Sequence, residues 1–90
     1  MYEGFDRLIS FVSVYQALRA EKLLTKAGLA IMSAPTPREI DVSCGQCLLF
    51  GAADEPEILR ILRQEQVVWS KLFKRDATVR VYEKMKDFEG

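Results

Sequence analysis

The sequence contains no histidine. That absence excludes a Ser-His-Asp triad, a Cys-His pair and every histidine-ligated metal site. There is no excess of either charge, because 13 acidic and 13 basic residues cancel. Without a basic surplus there is no general electrostatic pull toward nucleic acid or anionic lipid. Long apolar runs are missing too. The longest are of the kind Leu29-Ala30-Ile31-Met32 and Cys47-Leu48-Leu49-Phe50, far short of the ~20 residues that span a bilayer. Met1 to Arg7 includes acidic residues with no long apolar stretch behind them, which is not the pattern of a signal peptide. A cytoplasmic protein is expected, with its 2 cysteines reduced at rest.

What is present is the composition of a globular chain: 49% hydrophobic and 29% charged over 90 residues. That length supports one core and not two. The expectation is a single domain, 1–90, with its core over about 7–83 and a tail at 84–90 that frays or pairs with a neighbour.

Leu8-Ile9-Ser10-Phe11-Val12 predicts a buried strand. Ser13 and Gln16 have capping-box spacing, in which each side chain satisfies the other's backbone N–H. A helix then runs to about Ala27, with Ala17, Leu18, Ala20, Leu24 and Ala27 inward and Arg19, Lys22 and Lys26 outward. Gly28 stands where a left-handed residue ends it. Leu29 to Met32 reads as a second strand, and Pro35-Thr36-Pro37 as the point where regular pairing stops, since proline has no N–H. Cys47 to Phe50 is a third strand. Asp54 caps a second helix with Pro56 in its first turn and Glu57 completing a reciprocal cap; Ile58, Leu59, Ile61 and Leu62 form its apolar side. Val68 to Phe73 and Thr78 to Tyr82 read as strands separated by Lys74-Arg75-Asp76. The order β-α-β-β-α-β, with room for one more C-terminal strand, fits an α+β ferredoxin-like sandwich: an antiparallel sheet with two helices on one face. The alternation in Thr78 to Glu83 suits a half-exposed strand whose open edge would favour a homodimer.

Taken together, Phe11, then Ala17-Leu18-Arg19-Ala20-Glu21-Lys22-Leu23-Leu24, Gly28, Pro35-Thr36-Pro37-Arg38-Glu39-Ile40 and Ser43-Cys44-Gly45 resemble the putative selenium/sulfur carrier-like family of short bacterial and archaeal proteins. The likeness covers roughly Leu8 to Leu62. Its most specific part is Pro-x-Pro-Arg followed six residues later by Cys-Gly. The resemblance implies a carrier of sulfur or selenium on one cysteine, here Cys44, served by donor and acceptor proteins. Two positions depart from the pattern: Asp41 replaces a small hydroxyl residue, and Cys47 replaces an apolar strand residue.

A carrier needs a thiolate, yet only a few per cent of an unassisted thiol is ionised at neutral pH. Arg38 is the nearest loop cation and can stabilise a thiolate or persulfide anion. Gly45 lets a donor's backbone approach, the prolines stiffen the loop, and Ser43 and Thr36 can donate hydrogen bonds to sulfur. Cys44 ranks first, Arg38 second, with Cys47 as a second thiol of interest. No cofactor and no metal is expected. The competing readings are plain ones. A cysteine is often a small buried hydrophobe, above all Cys47 at the head of an apolar run. Arg38 can simply pair with Glu39 or Asp41 at the surface.

Cys-x-x-Cys also suggests a redox pair, but that motif opens a helix, and here it enters a strand. Extended, its ends lie about 10 Å apart, whereas a disulfide requires less than about 7 Å. Only a turn through Gly45-Gln46 permits one. Zinc would need two such pairs from a dimer. The central strands lack the interleaved cations and aromatics of RNA-binding sheets, and Trp69 and Phe73 read as packing residues. A non-catalytic dimeric interaction module is the alternative to a carrier, and a thiol redox protein is the third reading.

Overall fold

A computed structural model describes residues 4–40, 45–76 and 81–89. The elements in chain order are β1 (Arg7–Ser10), α1 (Val14–Lys26), β2 (Ile31–Pro35), β3 (Gln46–Phe50), α2 (Glu55–Gln64), β4 (Lys71–Asp76) and β5 (Val81–Asp87), with a 3-10 turn at Ala52–Asp54 leading into α2. The five strands form one antiparallel sheet in the order β2-β3-β1-β4-β5. The fold is α+β, and β1 sits at its centre. Ile9 faces Leu48 on one side and Leu72 on the other.

Both faces of the sheet are covered, which explains why β1 and β3 read as unbroken apolar runs. Strand residues alternate between faces. Ile9, Leu48, Phe50 and Leu72 pack with Ala17, Ala20 and Leu24 of α1 and Ile58 and Leu62 of α2. Leu8, Cys47, Leu49 and Phe73 form a second buried cluster without a helix residue, closed by Phe5, Met32, Ala34, Ile40 and Tyr82.

Several boundaries differ from the sequence reading, each for a local reason. Pairing of β1 stops at Ser10, whose hydroxyl accepts from the Lys71 N–H at 3.1 Å and donates to the Lys71 carbonyl at 3.3 Å. Val12 beyond it is exposed. Ser13 does cap α1, its hydroxyl accepting from the Gln16 N–H at 3.2 Å. Gln16 does not return the bond; its side-chain oxygen accepts from Val68 N–H at 3.4 Å. The buried stripe of α1 is Ala17, Ala20 and Leu24, while Leu18 is half exposed and Ala27 exposed. Arg19, expected outward, donates to the Glu65 carbonyl at 2.8 Å and ties α1 to the end of α2. Gly28 has φ 81, as a left-handed helix stop requires.

Leu29 still belongs to the helix end, donating to the Leu24 carbonyl at 3.1 Å, so β2 starts later and runs through Pro35, which keeps register with Gln46. A proline is tolerated there because β2 is an edge strand. Asp54 makes no side-chain cap bond, and Glu57 pairs forward with Arg60 at 2.7 Å instead of capping. Lys74, Arg75 and Asp76, read as a separator, are strand residues paired to β5. Lys84 to Asp87, read as a tail, are strand as well, and a register shift between Leu72 and Phe73 accommodates them. Thr78, Val79 and Arg80 lie outside the described residues.

Candidate functional site

The connection from β2 to β3 carries the residues that the sequence singles out. Its base is held by the Thr36 N–H donating to the Gly45 carbonyl at 3.0 Å, which extends the β2–β3 ladder one step past Pro35 and Gln46. A turn follows, closed by the Ile40 N–H donating to the Pro37 carbonyl at 3.1 Å. Ile40 packs on the second cluster, so the turn lies over the sheet face that holds Cys47. Ile40 and Val42 are the two aliphatic residues of an otherwise polar loop; they were the sequence signal for such a contact, and sequence reasoning missed it.

Arg38 and Glu39 are exposed on this turn. Arg38 forms no ion pair with a described carboxylate, Glu39 included; Asp41 lies outside the described residues. Gly45 is exposed, and a Cβ there would meet nothing within 4 Å. The approach to the chain is open at that point whatever the side chain. The backbone bends at Gly45 and is extended from Gln46 onward. Ser43 and Cys44 are outside the described residues, so the separation of the two sulfurs is as well.

Cys47 is fully buried in β3. Its direct strand neighbours are Ala34 and Ser10, and its thiol donates to the Pro35 carbonyl with sulfur and oxygen 3.8 Å apart. Thr36 is 9% exposed, and its Oγ1 is buried without a hydrogen-bond partner. The ladder places it on the same face as Cys47, because Ala34 pairs with Cys47 and Thr36 with Gly45. Thr36 and Cys47 are therefore diagonal neighbours on the covered side of the sheet. Buried hydroxyls almost always find a partner, which makes Thr36 an unusual group among the described residues near the loop.

A half-open groove of about 830 Å³ lies elsewhere, between the end of α2 and the end of β5, where Trp69 and Phe88 meet edge to face at 5.4 Å. Among the described residues no three His, Cys, Asp or Glu side chains gather as metal ligands, and no helix is long and apolar enough to cross a membrane.

The β2–β3 loop with its cysteines falls inside a family match. The chain belongs to the family described as Putative Se/S carrier protein-like, whose model matches residues 6–74. No curated protein and no solved structure matches the chain.

Proposed function

We infer that this chain carries sulfur or selenium as a persulfide or its selenium counterpart on Cys44. In this reading Arg38 steadies the anion, Thr36 and Ser43 supply hydrogen bonds, Gly45 leaves room for a donor, and Cys47 stands behind them as a second thiol. Cytoplasmic donor and acceptor proteins load and unload the atom. The working unit is one ferredoxin-like domain over the 90 residues, with a homodimer through the β5 edge as its assembly. The observation that carries the reading is the family match over 6–74, which spans the whole cysteine loop. Two local features support it. Arg38 is exposed and unspent on any described carboxylate, and Gly45 opens to solvent.

Cys47 has a different place in the reading. A fully buried sulfur cannot meet a partner protein, so the exchange with donors and acceptors falls to Cys44. Incubation with a cysteine desulfurase and its substrate, followed by intact-mass measurement, tests the proposal. Wild type gains one sulfur, and Cys44→Ser gains none. Absence of the gain in wild type, or an equal gain in the variant, ends the carrier reading.

A further inference from the structure

Tyr15 is 70% exposed on the outside of α1, and Val12, Val14 and Leu18 near it are each about half exposed. Val68 joins them, because its N–H donates to the Gln16 side chain of the same helix and its own side chain is open to solvent. Single exposed apolar residues are ordinary, but a contiguous group of them marks an interaction surface. Helical spacing makes this group contiguous. Val14 and Tyr15 stand four and three residues before Leu18, so both meet it across one turn.

The row Val14, Leu18 continues at the same spacing as Lys22 and Lys26, both exposed. Neither lysine makes an ion pair with a described carboxylate. Glu21, the one acidic residue of α1, is partly buried. The outer face of α1 is therefore apolar in its first half and cationic in its second, with no exposed acid of its own to match.

This face lies at the end of the sheet that holds the base of the β2–β3 connection. β1 ends at Ser10 opposite Cys47, and Pro35 pairs with Gln46 one step further out. Val12 and the start of α1 follow directly from Ser10. Val68 arrives at the same end, two residues before Ser70, whose N–H donates to the Ser10 carbonyl at 2.7 Å. A protein lying on Val12, Tyr15 and Val68 thus sits at the end of the molecule from which that connection leaves and to which it returns.

We propose that Val12, Val14, Tyr15, Leu18 and Val68, flanked by Lys22 and Lys26, form the docking surface for the protein that donates sulfur or selenium. The inference rests on the carrier reading above. The donor's matching surface is apolar where it meets Tyr15 and Leu18 and acidic where it meets the lysines. A second copy of this chain supplies no such match, because the same face offers only lysines in return. The patch is also small against the roughly 20–30 residues a side of a stable interface, which suits a partner that must leave after each transfer.

The test follows the mass of the whole chain with two sulfur sources: a cysteine desulfurase with its substrate, which must dock, and inorganic polysulfide, which need not. Tyr15→Ala and Leu18→Asp are expected to load from the desulfurase at least tenfold more slowly at low carrier concentration, as loss of a central interface anchor requires. Both recover at saturating concentration and load from polysulfide as wild type does, since exposed substitutions leave the fold intact. Lys22→Glu combined with Lys26→Glu slows desulfurase loading by a similar factor at low salt and by less at high salt, because charge steering is screened. Variants that match wild type with the desulfurase, or that lose polysulfide loading to the same degree, overturn the docking role and leave carriage standing. A wild-type dimer that Leu18→Asp converts to a monomer in light scattering gives the face to a second copy and overturns it too. Co-sedimentation with anionic phospholipid vesicles that the lysine changes abolish gives the face to a membrane, with the same consequence. Wild type that gains no sulfur from the desulfurase ends the carrier reading and the docking role with it.

Discussion

Thr36 and Cys47 lie diagonally across the β2–β3 ladder on one covered face of the sheet, the first with a hydroxyl that bonds to nothing and the second with a thiol directed at the Pro35 carbonyl. An unused donor beside a buried sulfur is an expensive arrangement for a packing surface.

Replacing Thr36 with valine keeps the β-branched shape and removes the orphaned oxygen. The chain should become more stable by about 1 kcal/mol, because an unsatisfied buried hydroxyl costs about 1–3 kcal/mol. Urea denaturation reads this directly. A loss of stability instead would mean that the hydroxyl is bonded in the folded chain.

The two cysteines should separate by stability. Cys47→Ala opens a small cavity between Leu8, Leu49 and Phe73 and should cost about 1–2 kcal/mol. Cys44→Ser, at a position read as an exposed loop, should fall within about 0.5 kcal/mol of wild type. Equal losses at both positions, measured by thermal or urea unfolding, would contradict the division of labour between them.

Arg7 Nε donates to Glu55 Oε1 at 2.9 Å, with side chains only 14% and 20% exposed. This pair ties β1 to the start of α2. Arg7 keeps a second partner in Asp6 at 3.4 Å, whereas removing Arg7 strands the mostly buried Glu55 carboxylate, so Arg7→Ala should cost about 1–3 kcal/mol and respond weakly to salt. The exposed Arg60–Glu57 pair should contribute far less and vanish in high salt.

Glu57 has its carboxyl pKa lowered from 4.5, chiefly by the side-chain hydrogen bond from Arg60 and less by its charge. The sign follows from linkage. A depressed folded pKa adds stability that is present above 4.5 and is lost as pH falls below that value through the folded one. NMR titration of the Glu57 carboxyl should show the depression in wild type and its return toward 4.5 in Arg60→Gln. An unchanged value in the variant would show that the pair does not persist in solution.

The class of the fold was legible because β1 and β3 are short apolar runs, α1 and α2 carry helical periodicity, and Ser13 and Gly28 mark the ends of α1. The C-terminal third was harder to read. Lys74-Arg75-Asp76 is charged and reads as a turn, yet it lies near the sheet edge, where β5 leaves polar side chains in solvent. Hydropathy cannot tell such a strand from a loop. The same limit applied at Pro35, which the edge position of β2 accommodates. At the site, the sequence placed Cys47 at the head of an apolar strand, with both a buried and a reactive reading open, and it is buried there; Cys44 lies outside the described residues. The sequence had no means of seeing Ile40 fold over that strand or the Thr36 hydroxyl left without a partner, because both depend on the return of the loop onto the far face of the sheet.

Tandem mass spectrometry of the desulfurase-loaded chain, with thiols blocked before digestion, locates the transferred atom on one cysteine. The account predicts added sulfur on Cys44, lost in Arg38→Ala more readily than in wild type, and none on Cys47 while the fold is intact. Sulfur found on Cys47 alone, or spread equally over both positions, would contradict it.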